Sequence, residues 1–119
     1  MKHTITLYGI PNCDTVKKAR AWLTEHGVAY GFHDLKKQGV PEAQLDHWLA
    51  SAGWEKLLNR QGTTWRKLDD PTKATVNDAK SARALMLAQP SVIKRPVVEW
   101  SASQVTVGFD AAAWQVKLK

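Results

Sequence analysis

A single cysteine, Cys13, is all that the chain of 119 residues contains. One thiol cannot close a disulfide within the chain, which excludes a disulfide scaffold and any mechanism that needs two cysteines of the same chain. Long apolar runs are also missing. A stretch such as Ala84-Leu85-Met86-Leu87-Ala88 falls far short of the ~20 residues that span a bilayer, so no membrane partner is expected. The opening Met1-Lys2-His3-Thr4-Ile5 lacks the apolar region and small-residue cleavage site of a secretory signal and runs directly into a strand-like pattern. A cytoplasmic, reducing location is therefore the expectation. There is no phosphate-cradling glycine loop and no GxSxG nucleophile turn. His3, His26, His33 and His47 show none of the short pair spacings of a metal site, and no metal or bound cofactor is expected. Negative charge is the scarcer sign, with 11 Asp/Glu against 17 Lys/Arg and a net charge of +6. The basic residues are spread from Lys2 to Lys119, which suits a solvated surface open to anions better than a nucleic-acid footprint.

What is present is material for one core. A chain of this length buries roughly two-thirds of its unfolded surface without a covalent staple, and six tryptophans and 44% apolar residues supply the interior. Thr4 to Tyr8 alternates polar and apolar residues and reads as a strand ending at Gly9. From Asp14 to about His26, Val16, Ala19, Trp22 and Leu23 share one helical face, and Gly27 closes the helix. A second strand is expected at Ala29 to Asp34, parallel to the first because a helix connects the two. Pro41 to Ala52 reads as a helix with Leu45, Trp48 and Leu49 on its apolar side. Trp54 to Asp70 is mixed, and a further helix is expected from about Val76 to Gln89, stopped by Pro90. Val92 to Trp100 and Gln104 to Phe109 read as strands joined by Ser101-Ala102-Ser103, hence antiparallel. Asp110 is the expected N-cap of a last helix, Ala111 to about Lys117. The order β-α-β, a helical insertion at about 41–89, then β-β-α describes one α/β domain over 1–119. Its four-stranded mixed sheet is the thioredoxin-like arrangement.

Chemistry concentrates in Gly9-Ile10-Pro11-Asn12-Cys13-Asp14-Thr15. If the first helix begins near Asp14, Cys13 stands at its start, where unpaired N–H groups and the macrodipole favour a negative charge such as a thiolate. Asp14 opposes that effect, and Lys17 and Lys18 offset it. The alternative is a small buried hydrophobe, against which the polar Asn12, Asp14 and Thr15 weigh. In this topology Arg95-Pro96 begins the third strand beside the start of the first helix. There Arg95 is either a guanidinium that stabilises a thiolate and grips an oxyanion or carboxylate, or a solvated strand-end charge, and the X-Pro bond is open to the cis form. Arg60 and Arg66 flank Gly62 in the irregular segment, either as part of an anion site or as surface charges. The tryptophans read as core residues rather than a base-stacking platform, since no basic-aromatic repeat accompanies them.

Three segments in order, Tyr8-Gly9-Ile10-Pro11-Asn12-Cys13-Asp14-Thr15-Val16-Lys17-Lys18-Ala19, then Leu57-Leu58-Asn59-Arg60 with Gly62-Thr63-Thr64-Trp65-Arg66, and Ile93-Lys94-Arg95-Pro96-Val97-Val98, resemble the arsenate reductase-like (ArsC/Spx) family, most closely its YffB branch. The resemblance implies a thioredoxin-like fold with a helical insertion. It implies that Cys13 is the nucleophile and Arg95 its thiolate-stabilising partner, with Arg60, Asn12 and Pro96 on the substrate or anion side and the Pro96 bond cis. The arsenate reductases of this family carry a further arginine where this chain reads Val107-Gly108-Phe109-Asp110, and many Spx regulators carry a Cys-x-x-Cys switch where it reads Cys13-Asp14-Thr15-Val16. The function expected from the resemblance is therefore a glutathione-dependent monothiol oxidoreductase, acting as a monomer with glutathione as co-substrate and glutaredoxin as a candidate partner. Arsenate reduction and Spx-like binding of RNA polymerase stand as the alternatives.

Overall fold

The computed structural model describes residues 5–118. They form β1 (Thr6–Gly9), α1 (Asp14–Glu25), β2 (Gly31–Asp34), α2 (Glu42–Ala52), α3 (Trp54–Leu57), α4 (Thr63–Arg66), α5 (Asp70–Thr75), α6 (Ala79–Ala88), β3 (Val97–Glu99), β4 (Val105–Val107) and α7 (Ala111–Lys117). The strands make one sheet in the order β2-β1-β3-β4. β1 runs parallel to β2 and antiparallel to β3, and β4 runs antiparallel to β3. Order and directions are those expected of the thioredoxin-like arrangement. The part of the first strand read at Thr4, and His3 before it, lie outside the described residues.

The chain divides into two compact units, one running to Asp34 and resuming at Arg95, the other spanning Leu35–Lys94. In the first, pleat alternation sends Leu7 and Val98 to one face of the sheet, where α1 contributes Val16, Ala19 and Leu23 and α7 contributes Trp114. Trp114 meets the rings of Trp22, Trp100 and Phe109 edge-on at centroid distances of 5.6, 5.0 and 4.8 Å, an arrangement that the opposite charges of ring face and ring edge favour. On the other face Tyr8 donates its hydroxyl to the buried Glu99 carboxylate at 2.9 Å, so a charge-bearing group in a strand interior is hydrogen-bonded. The end of α1 is closed by Gly27 at φ 69°, while Val28 N–H reaches back to the Leu23 carbonyl at 2.9 Å. A β-carbon is disfavoured at that left-handed turn.

The second unit is helical. Leu45, Trp48, Leu57, Ala82, Met86, Val92 and Ile93 are buried in it. Arg83 of α6 donates to Asp46 at 2.6 Å and Glu42 at 3.1 Å, both on α2. The helix expected at Val76 to Gln89 is shorter, and the structure puts α5 ahead of it. Asp69 accepts from Thr72 N–H at 2.8 Å and caps α5, which has a proline in its first turn. Asp78 accepts from Ser81 N–H at 2.8 Å and the Ser81 hydroxyl accepts from Asp78 N–H at 3.1 Å, a capping box that starts α6 at Ala79. The strand expected from Val92 is shorter too. Pro90–Val92 is a 3-10 turn, Ile93 forms an isolated bridge with Leu58, and β3 begins at Val97. The backbone groups of Ile93 and Lys94 are thus used within the helical unit. No helix among the described residues is long and apolar enough to cross a membrane.

Candidate active site

The turn that carries Cys13 is short and closed. β1 ends at Gly9, and Cys13 N–H donates to the Ile10 carbonyl at 3.2 Å. Cys13 has extended backbone angles, φ −113° and ψ 126°, and is the N-cap of α1. Its carbonyl accepts from Lys17 N–H at 2.9 Å, which opens the helix, while its side chain makes no capping hydrogen bond. The thiol is therefore not committed to the helix it precedes. Cys13 is half-buried and packs against the Leu7, Val16 and Leu23 cluster, while Pro11, Asn12, Asp14 and Thr15 around it are exposed. One side of the sulfur rests on the core and the local chain around it is open to water.

Gly9 explains how α1 comes so near the strand. A β-carbon there would stand 2.8 and 3.2 Å from the two γ-carbons of Val16, a fully buried side chain. The glycine lets the first turn of α1 settle onto the end of β1. The helix N-terminus behind Cys13 is thus fixed by packing, with its partial positive charge at the turn.

Arg95 and Pro96 arrive from the far end of the sequence. β1 pairs with β3 through Thr6 and Glu99, Leu7 and Val98, and Tyr8 and Val97. Continuing that antiparallel register sets Pro96 beside Gly9 and Arg95 beside Ile10, at the end of β1 from which the Cys13 turn departs. The Arg95-Pro96 bond is cis, as the resemblance implies. Pro96 is buried, and its carbonyl accepts from Gly108 N–H at 2.8 Å, which ties the start of β3 to the end of β4. Arg95 itself is half-buried. Asn12, Cys13, Arg95 and Pro96 thus belong to one unit and one end of its sheet.

Arg60 belongs to the second unit. It is exposed, with its guanidinium carbon over the rings of Trp54 at 5.4 Å and Trp65 at 5.9 Å. Arg66 is exposed and ends α4; its carbonyl accepts from the Lys73 ammonium at 3.4 Å. The His26 ring stacks on Trp22 with centroids 3.9 Å apart, and its Nδ1 lies 2.8 Å from the Trp22 carbonyl. Among the described residues there is no group of three His, Cys, Asp or Glu that could hold a metal ion. Two features were missed in the sequence. Strand alternation marks Gly9 only as the end of the first strand, although a glycine between a strand and a cysteine-bearing helix start is itself a signal of close approach. The rings under Arg60 carried no periodic signal, since Trp54 and Trp65 stand on opposite sides of it in the chain.

A model of the ArsC family matches residues 8–116. The chain belongs to the ArsC family. Among solved structures, the YffB protein is 52% identical and superposes with a TM-score of 0.91, covering 98% of this chain and 100% of that one. An arsenate reductase (ArsC) related protein from Brucella melitensis is 51% identical with a TM-score of 0.76, covering 100% of this chain and 98% of that one. The global transcriptional regulator Spx 1 of Lactococcus lactis is 29% identical over 89% of this chain and 82% of its own length. The chain is thus similar both to an arsenate reductase related protein and to a transcriptional regulator.

Proposed function

We propose that this ArsC-family chain is a glutathione-dependent monothiol oxidoreductase with Cys13 as its nucleophile. The observation that carries the reading is the placement of Cys13: N-cap of α1, side chain unused in capping, at the sheet end where the cis Arg95-Pro96 begins β3. In the first step the Cys13 thiolate attacks the glutathione sulfur of a mixed disulfide R–S–S–G. A Cys13 Sγ–S bond to glutathione forms, the S–S bond of R–S–S–G breaks and R–S⁻ leaves to take a proton. In the second, a glutathione thiolate attacks the glutathione sulfur of that adduct, releasing oxidised glutathione and restoring Cys13. The net change is R–S–S–G plus one glutathione thiol giving R–SH and oxidised glutathione: one disulfide is exchanged for another, and the glutathione unit taken from the substrate stays at the disulfide level throughout. Arg95 stabilises the thiolate at the start and the end of the cycle. Arg60, in the other unit, is the candidate for an anionic group such as a carboxylate, which meets a bidentate donor well.

Mass spectrometry after exposure to oxidised glutathione tests the first step, with one glutathione adduct expected, on Cys13. Reduction of a glutathione mixed disulfide should then be lost in Cys13→Ser, and full turnover by that variant refutes the mechanism. With no arginine in Val107-Gly108-Phe109-Asp110, turnover with arsenate in a glutathione- and glutaredoxin-coupled assay is expected to fall below that with the mixed disulfide.

A further inference from the structure

The loop around Arg60 holds more order than an exposed arginine requires. The segment leading into it is stitched to the end of the same unit. Leu58 bridges Ile93, Lys94 N–H donates to the Leu57 carbonyl at 2.7 Å, and Asn59 N–H donates to the Val92 carbonyl at 2.8 Å. The Asn59 side chain then turns forward, its Oδ1 accepting from Gln61 N–H at 3.1 Å, so the residues on either side of Arg60 are held. Gly62 completes the closure. Its φ of −80° is open to any residue, but a β-carbon would stand 2.8 Å from Asn59 Nδ2 and 3.3 Å from its Cγ. A residue with a β-carbon there displaces the Asn59 amide that makes the turn.

The side chain is held from two directions as well. Trp54 comes from α3, before the loop, and Trp65 from α4, after it, and the Arg60 guanidinium lies over both rings, which are themselves half-buried. Among the described residues that guanidinium makes no hydrogen bond and no ion pair. The geometry of the group makes this arrangement useful. Its flat faces bind to aromatic faces, while its N–H donors lie in its plane and stay available. An arginine resting on two rings is pre-ordered, with less rotamer freedom to lose when an anion arrives.

We propose that Trp54 and Trp65, with Asn59 closing the loop, are positioning residues that hold the Arg60 guanidinium ready for a carboxylate. Taking that carboxylate to be one of glutathione rests on the function proposed above. The rings act through Arg60 and touch no reacting atom, so their removal weakens binding and leaves the thiol chemistry alone. At exposed sites each such contact corresponds to about a two- to fivefold change in binding.

The test uses Trp54→Leu, Trp65→Leu and the double variant, with Trp54→Phe and Trp65→Phe as conservative replacements that keep a ring. The first readout is the Arg60 Nε–H resonance in an NMR spectrum of the whole chain without ligand. Ring currents are expected to displace it in the unmodified protein and in the Phe variants, and the double Leu variant is expected to return it to the position of an unstructured arginine. A resonance already at that position in the unmodified protein overturns the proposal. The second readout is the KM for glutathione, expected to rise about two- to fivefold per ring removed with kcat within about twofold, to recover in the Phe variants, and to rise similarly in Gly62→Ala. If Arg60→Ala raises KM and the double Leu variant does not, the rings are merely structural and the proposal fails while the glutathione reading stands. If the unmodified chain shows no glutathione turnover, that reading fails. The mount is then judged with inorganic sulfate titrated against the same resonance: weaker binding in the double Leu variant supports it and equal binding overturns it.

Discussion

The two units of the chain reach order by different routes. In the sheet unit the decisive neighbours are remote in sequence: Tyr8 bonds Glu99, Leu7 pairs with Val98, and the Cys13 turn leaves the strand end where Arg95 and Pro96 arrive. In the helical unit, alongside distant pairs such as Arg83 with Asp46, many are close. Asp69 caps through Thr72, Asp78 through Ser81, and Arg60 rests on Trp54 and Trp65. A site built from sheet register is therefore as robust as the core beneath it, whereas a feature built from turns depends on a few local polar groups. Substitutions in the two units should fail in correspondingly different ways.

The largest effect is expected at Trp114, which is 1% exposed and touches three other aromatic rings. Trp114→Ala removes those contacts and leaves a cavity that α7 and the sheet cannot both fill, at a cost of about 3–5 kcal/mol in denaturant unfolding. Cys13 packs against the same cluster, so its alkylation rate by iodoacetamide should change in the variant. A comparable loss of stability with an unchanged alkylation rate would break the link drawn here between core and nucleophile.

Gly9→Ala comes next. The added carbon meets Val16 at 2.8 Å, and Val16 is fully buried and β-branched, with one favoured helical rotamer. The helix start must move, at a cost of about 1–3 kcal/mol typical of overpacking, and Cys13 must move with it. Gly62→Ala is the matched change in the helical unit. There the added carbon meets only the amide end of Asn59, so the loss of stability should be the smaller of the two, with the effect appearing at Arg60 instead. Equal unfolding midpoints for the two variants would remove the distinction between a register-built and a turn-built feature.

These contrasts also explain how much could be read from the residues. Thr6 to Gly9 and Gly31 to Asp34 carry strand composition, and Val16, Ala19 and Leu23 carry the helical period, because a half-buried element writes its burial into its spacing. The last helix was legible for another reason: Asp110 accepts from Ala113 N–H at 3.2 Å, the cap expected of it. Helix α5 and the start of α6 were not legible from periodicity, since α5 buries no residue and Ala82, Leu85 and Met86 set an apolar pattern only within α6. The signal lay in Asp69, Pro71 and Asp78, whose capping outweighs propensity over that span. The extra length assigned to the third strand has a similar cause. Val92 and Ile93 are strand formers and fully buried, but their partners are in the helical unit, and composition does not say which partner a buried residue has. At the candidate site, Cys13 and Arg95-Pro96 were legible because helix starts and X-Pro bonds have fixed chemistry. The tryptophans under Arg60 were not, because a cation on an aromatic face follows no spacing rule.

The smallest expected effect is also the most local. The Asp78 carboxyl is held below its ordinary value of 3.8 by hydrogen bonds from Ser81, the backbone N–H first and then the hydroxyl, and the Asp69 carboxyl by those from Thr72, the hydroxyl first and then the N–H. Each carboxylate accepts these bonds only while ionised in full, so its folded form binds a proton less readily than its unfolded form. The stabilisation is therefore complete above the unfolded value of 3.8, and it is lost as pH falls below that value through the lowered folded one. Amide hydrogen exchange at Ser81 and Thr72 should accelerate across this acid window before exchange at Leu7 or Val98 does, since those strand amides depend on no titrating cap. Asp78→Asn keeps an oxygen acceptor and removes the titration, so it should make Ser81 exchange slightly faster at neutral pH and abolish its added acceleration in acid. If Ser81 in that variant still follows the acid profile of the unmodified chain, the opening of α6 is governed by the unit as a whole. Local capping would then not distinguish the helical unit from the sheet unit.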